Sequence, residues 1–186
     1  MKKGKNDSFE LLKTMIASVG IALLIRIFLF TPVVVDGESM MPTLKNDERM
    51  VVNKINYNLS SPKRFDVIVF HASETKDYVK RIIGLPGDKV EYKNDKLYIN
   101  GRVYNEPYLD HYKSKLTDGD LLTYDFKLEE IPPNYSKTVP KGHYFVLGDN
   151  RRNSLDSRII GSIPKGKIIG KVSLVYWPVK DITYSF

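Results

Sequence analysis

Residues 11–30 form an almost unbroken apolar run, interrupted by Lys13 near its start and Arg26 near its end and closed by Thr31-Pro32. As a helix of about 20 residues rising about 1.5 Å each, the run matches the roughly 30 Å hydrocarbon layer of a bilayer. Both basic side chains lie where they can snorkel to an interface. Lys2, Lys3 and Lys5 precede the run, so the positive-inside rule puts the N-terminus in the cytoplasm and the rest of the chain outside. Two other readings compete. A cleavable secretory leader also begins with positive charge and an apolar run, but residues 28–35 offer bulky side chains and a proline where a small-x-small cleavage site belongs. A buried core helix has the right length, and against it stands the lack of any polar face.

The expected organisation is a cytoplasmic N-terminus at 1–10, a transmembrane anchor at 11–30 and one extracytoplasmic catalytic domain at 31–186. Beyond Pro32 the chain breaks into short β-branched and aromatic runs between turn residues, which predicts a mostly β, antiparallel domain. Strands are expected at 49–53, 66–70, 78–83, 89–92, 96–99, 102–104, 143–147 and 168–176. Asn100-Gly101 is a two-residue hairpin signal and Asn94-Asp95 a second tight turn. Between about 105 and 140 the chain turns polar and loses periodicity, so this part reads as a small insertion or flap.

Composition removes several chemistries. The chain has no cysteine, which excludes disulfides, thiolate metal sites and cysteine nucleophiles. Of the net charge of +7, the first 30 residues supply +3, leaving +4 spread over the rest. That excess suits an anionic lipid surface but is too diffuse for a nucleic-acid groove. No metal or organic cofactor is expected, nor any nucleic-acid partner, and the chain is expected to work as a monomer.

Ser39 lies nine residues beyond Phe30, a tether that reaches about 30 Å when fully extended. A reactive group there works close to the membrane surface. Serine needs a base to remove its proton. His71, His111 and His143 stand in ordinary settings, and a hydrolase elbow needs glycine two positions after the serine, where this chain has Met41. Lys80, in the strand-like run YVKRIIG (78–84), is the better partner. Alternation puts it on the face of Tyr78 and Ile82, with Arg81 pointing the other way. Burial there disfavours the ammonium form, and moving a lysine from about 10.4 to about 8 requires roughly 3 kcal/mol. The alternative, a lysine snorkelling from a half-buried edge strand to an acid, stays open on spacing alone. Ser60-Ser61-Pro62-Lys63 and Ser73-Glu74-Thr75-Lys76 match the S-x-x-K of penicillin-recognising enzymes only by spacing, since no Lys-Thr-Gly triad accompanies them.

Four segments, in order, resemble the type I signal peptidases: GESMMPTL (37–44), RFDVIVF (64–70), YVKRIIGLPGD (78–88) and GDNRRNSLDSRIIG (148–161). The resemblance implies an endopeptidase that removes signal peptides from exported preproteins after small residues, with Ser39 as nucleophile and Lys80 as base. Asp149, Ser154, Asp156, Arg158 and Arg81 match supporting positions. Ser154 is expected to hold the Lys80 amine by a hydrogen bond, and Asp156 and Arg158 to pair and fix the loop. The Ser39 amide is the natural first oxyanion donor. Some members carry a serine where Gly37 stands, so the second donor is expected to be backbone or water. Gly37, Met40, Met41 and residues 33–35 are expected to line the substrate cleft, with an exposed strand edge pairing to an extended preprotein. For these residues plain core packing is the competing reading. A single anchor and a modest insertion agree with the short form typical of Gram-positive bacteria. The rivals are a self-cleaving serine-lysine repressor-type protease and a catalytically silent membrane-anchored binding module.

Overall fold

Alternating burial along Arg49–Asn53 turns Met50 and Val52 inward, and that period of two repeats along Val90–Lys93 and Lys96–Ile99, whereas Val67–His71 and His143–Leu147 are buried almost throughout, as central strands are. The computed structural model describes residues 3–28, 30–54, 57, 60–117 and 119–184, with α1 side chains described from 9 to 23. Among the described residues the main elements are a long helix, α1 (Lys3–Phe28), and eleven strands: β1 (Phe30–Val34), β2 (Arg49–Asn53), β3 (Val67–His71), β4 (Asp77–Gly84), β5 (Val90–Lys93), β6 (Lys96–Ile99), β7 (Arg102–Tyr104), β8 (Phe126–Lys127), β9 (His143–Leu147), β10 (Ile163–Pro164) and β11 (Ile168–Trp177). Every strand pair is antiparallel, in a seven-stranded sheet of order β1-β2-β11-β3-β4-β9-β10 and a four-stranded sheet of order β7-β6-β5-β8.

Each expected strand is present, with ends moved by at most a residue or two. β1, β8 and β10 were not anticipated. Pro32 sits inside β1, which pairs with β2 alone at the sheet edge, one of the few places where a residue without an N–H can join a strand. β8 and β10 are two residues each, too short to show a period. The meander β5-β6-β7 turns at Asn94-Asp95 (φ 49° and 57°) and Asn100-Gly101 (φ 53° and 78°), the left-handed pairs that tight hairpins need.

The stretch 105–140 is poor in regular structure but packed. Helical turns occupy Pro107–Leu109, Asp110–Lys113 and Leu128–Glu130. β8 adds to β5, and Leu109, Leu122, Leu128 and Val139 are buried. Its fixed packing argues against a loose flap.

Along α1, Leu11, Met15, Ile16, Val19, Ile21 and Leu23 are exposed. Among the described residues no helix is long and apolar enough to cross a membrane. The upper part of the expected anchor, at 24–29, lies outside the described side chains.

Three apolar clusters hold the β domain. One gathers Val35, Met40 and Leu44 with Met50, Val52, Val67, Val69, Val172 and Val175, so the chain around Ser39 is anchored in the core. A second joins Ile83, Phe145 and Leu147 to Val90, Tyr92, Leu97 and Ile99 of the small sheet. The third packs Ile68, Phe70, Ile82, Tyr144 and Val146. Gly84 sets the spacing between β4 and its neighbours, because a Cβ there would lie 2.7 Å from Val90 Cγ2 and 2.9 Å from Val139 Cγ2. Phe145 is fully buried beside Phe126. Phe145→Ala is expected to cost about 3–5 kcal/mol, measurable as a lower midpoint in urea unfolding at unchanged slope.

Candidate active site

Ser39 follows β1 in a closed excursion: Val35 N–H donates to the Glu48 carbonyl (2.8 Å), Asp47 N–H to the Val35 carbonyl (2.9 Å) and Leu44 N–H to the Met40 carbonyl (3.0 Å). Gly37, at φ 98°, gives its N–H to Asn46 Oδ1 at 2.8 Å. The Gly37 amide is thereby already engaged by Asn46. The Ser39 amide has no acceptor among the described residues.

Lys80 comes from the middle of β4, opposite Ile68 of β3, and is only 3% exposed. Its Nζ lies 2.6 Å from Ser39 Oγ and donates to the Val79 carbonyl at 3.0 Å. Burial lowers its pKa to about 8, against the pull of Asp156 and Asp149, whose charges act to raise it. Each of those carboxylates has an arginine of its own. Asp149, fully buried, takes two bonds from Arg81 (2.9 and 2.7 Å) and one from Thr43 Oγ1 (2.5 Å). Asp156 takes two from Arg158 (2.8 Å each), accepts the Gly148 N–H at 3.1 Å and caps the helical turn Ser157–Ile160. With the carboxylates neutralised by guanidinium groups, desolvation governs the amine.

The loop 148–158 grips the backbone at Ser39 directly. Asn150 donates its N–H to the Ser39 carbonyl (3.0 Å) and its Nδ2 to the Glu38 carbonyl (3.2 Å). Gly148 is required at this crossing, since a Cβ there would collide with Ser154 Oγ and the Ser39 carbonyl. Ser154 does not hold the Lys80 amine. Its Oγ is buried without a hydrogen bond among the described residues, because the amine is already directed at Ser39 and at Val79.

Beside the pair lies a groove of about 160 Å³ lined by Val35, Gly37, Met40, Tyr78, Val79 and Leu155. Gly37, Met40 and Val35 therefore border it, whereas Met41 and residues 33–34 do not. Met40, at 2% exposed, is also a core side chain, so both readings of that residue hold.

Sequence reasoning passed over Asn150, Thr43, Arg151, Glu106, Tyr108 and Leu155. Asn150 and Thr43 sit inside quoted motifs and could have been drawn from them. Arg151 has no exposed side-chain surface, yet it contacts Gly148 O (3.0 Å), Tyr92 Oη (2.5 Å), Thr123 Oγ1 (3.1 Å) and Glu106 Oε1 (2.6 Å). Burial pushes the Glu106 carboxyl up, but Arg151 and the hydroxyls of Tyr92 and Tyr108 outweigh it and hold the group below its usual range. Nothing local in the sequence marks Glu106 or Tyr108 as part of such a cluster. No group of His, Cys, Asp and Glu suited to a metal ion occurs among the described residues.

Residues 8–177 match the sequence model of a family described as signal peptidase, peptidase S26. The chain belongs to that family. It is 51% identical over 170 residues to signal peptidase I of Bacillus caldolyticus, covering 91% of each chain. It is 45% identical over 184 residues to signal peptidase IB of Staphylococcus aureus (strain MRSA252), covering 98% of this chain and 96% of that one. A crystal structure of a signal peptidase I from Enterococcus faecalis V583 superposes with a TM-score of 0.58 at 44% identity, over 60% of this chain and 97% of the other. The peptidase is thus a serine endopeptidase of the type I signal peptidase family, whose work is the removal of signal peptides from preproteins. Family membership sets aside the silent binding module and the repressor-type protease.

The folded-state pKa of Lys80 is depressed from 10.5 to about 8, so the unfolded chain binds more protons between those values and stability rises with pH across that window. Below about pH 8 the folded state carries the full cost of a buried ammonium. Lys80→Met removes that cost at the expense of two hydrogen bonds, and a net gain of about 2 kcal/mol near pH 7 is expected. Chemical denaturation at pH 7 and pH 10.5 checks this, with the gain fading at the higher pH.

Proposed function

We propose that the peptidase cleaves by a serine-lysine dyad at the outer surface of the membrane, with Ser39 as nucleophile and Lys80 as general base. The observation that carries this reading is the 2.6 Å approach of Lys80 Nζ to Ser39 Oγ with the amine buried. In the neutral amine the nitrogen lone pair accepts the Ser39 proton as Oγ attacks the scissile carbonyl. The resulting ammonium then returns the proton to the leaving amine. The oxyanion meets the Ser39 amide. Water attacks the acyl-enzyme next, with Lys80 again taking the proton. Arg81, Asp149, Asp156 and Arg158 fix the two reacting groups, and Ser154 fills the space behind Gly148 and Ser39.

Substrate binding follows from the open edge of β4. Residues 77–80 pair only with β3, while β9 joins the strand from Arg81 onward. An extended segment can therefore hydrogen-bond beside Tyr78, Val79 and Lys80 and drop a small side chain into the groove by Val35, Met40 and Leu155. The limited groove volume favours small residues before the cut.

The anchor reading keeps 1–10 cytoplasmic, 11–30 in the membrane and 31–186 outside, the last holding the catalytic domain with its packed insertion. The exposed apolar side chains of α1 then face lipid, and the monomer needs neither nucleic acid nor a cofactor.

With a purified preprotein carrying an Ala-x-Ala site, Ser39→Ala and Lys80→Met are each expected to lower the rate at least about 10³-fold. Cleavage retained by either variant rules the dyad out. For the parent, kcat should rise with pH through about 8, the value to which burial brings Lys80, as the base loses its proton. In membrane fractions the full chain should resist alkaline extraction, and release into the supernatant would argue against a spanning anchor.

A further inference from the structure

Glu106 has an unusual arrangement. Its Oε1 accepts from Tyr92 Oη (2.7 Å), Tyr108 Oη (2.7 Å) and Arg151 Nη2 (2.6 Å), while its Oε2 is buried with no donor among the described residues. Three donors converge on one oxygen, and the side chains of Glu106 and Arg151 are 1% and 0% exposed. A carboxylate used only to neutralise an arginine would spread its contacts over both oxygens.

The donors lead to the two halves of the active site. Arg151 Nε binds the carbonyl of Gly148 (3.0 Å), and the Arg151 carbonyl takes a bond from Arg158 (2.7 Å). The loop so braced carries Asn150, whose N–H holds the Ser39 carbonyl at 3.0 Å. On the other side, the Tyr108 ring lies 3.9 Å from the Arg81 guanidinium carbon. Arg81 follows Lys80 directly in β4 and is fixed to Asp149 of the same loop. The contacts close a ring: Arg81 to Asp149, through the loop to Arg151, on to Glu106 and Tyr108, and back to Arg81.

We infer that Glu106, with Tyr108 and Arg151, is a positioning cluster for the peptidase reaction, a bolt from the 105–140 insertion that sets the distance between the strand bearing Lys80 and the loop that holds Ser39. The inference rests on the Ser39–Lys80 reading. It gives the insertion a task in chemistry, because Tyr108 and Glu106 belong to it and touch neither reacting group. It also separates this cluster from the buried pair Arg64–Asp88, at 2.9 Å, whose other bonds go to the Ile83 carbonyl, the Leu85 N–H and Asn100.

The experiment compares Glu106→Gln, Tyr108→Phe and Tyr108→Leu with the parent and with Asp88→Asn, a buried-pair control outside the ring. All are full-length chains in detergent, assayed on the Ala-x-Ala preprotein per folded molecule and below each melting transition. Tyr108→Phe keeps the ring on Arg81 and loses only the hydroxyl, so it remains informative if the Gln variant folds poorly. Glu106→Gln and Tyr108→Leu are expected to lower kcat about tenfold, and Tyr108→Phe about threefold, with KM within twofold. In each of the three the acid limb of kcat should move by at least about 0.3 pH unit, because Asp149 and Asp156 no longer sit at their parent distances from the amine. Asp88→Asn should lower the melting temperature and leave the acid limb where it was. A kcat at the parent value, a loss expressed in KM or melting temperature alone, or a lower kcat with an unmoved acid limb would each overturn the inference. Lys80→Met in the same assay reports on the dyad separately: its cleavage of the substrate sinks that reading, whereas an inactive Lys80→Met beside a parent-like Glu106→Gln sinks only the bolt.

Discussion

A lysine amine held out of water beside Ser39 is the constraint around which the β domain is arranged. A lysine at 3% exposure cannot keep its proton cheaply, and the burial that destabilises the ammonium lowers its pKa to about 8, so the nitrogen lone pair is freed as the pH rises through that value. Two carboxylates stand close enough to act on it, and either one unpaired would pull the proton back. Arg81 and Arg158 occupy them through two-pronged contacts. The arginines beside the site therefore act on the Lys80 amine indirectly, by occupying the anions whose charges would raise its pKa.

The same contacts align the partners. Ser39 is carried by an excursion rooted in the core through Val35, Met40 and Leu44, and its carbonyl is held by the loop that carries Asp149. Lys80 is carried by a strand tied to that loop through Arg81. Two segments distant in sequence thus share one reference frame, and a small rotation of either is opposed by buried, charge-assisted bonds.

Much of this was legible in the residues. Short β-branched and aromatic runs between turn residues marked every strand longer than two residues except β1, whose Pro32 hid its pairing at the edge, and Asn100-Gly101 gave its hairpin directly. Lys80 stood out as a charge within an apolar run. The hydrogen bond expected from Ser154 was misplaced, because a motif fixes which residues come near one another but not which donor a short side chain meets. Glu106, Tyr108 and Arg151 were invisible for a different reason: a buried polar cluster assembled from β5, the insertion and the loop after β9 has no local period. Likewise, the polar composition of 105–140 suggested looseness, although four of its apolar side chains, Leu109, Leu122, Leu128 and Val139, are buried and pin it to the domain.

β4 changes character along its length. Residues 77–80 pair with β3 alone, Arg81 with both β3 and β9, and the strand then runs on beside β9, so one strand is tied into the sheet beyond Lys80 and offers a slot along its edge before it. A slot of backbone groups accepts only a guest whose own backbone is free. Polypeptide already committed to a sheet or helix has none to offer, so under the proposed docking at this edge timing becomes a selection rule: the region around the cut reaches the enzyme while still unstructured.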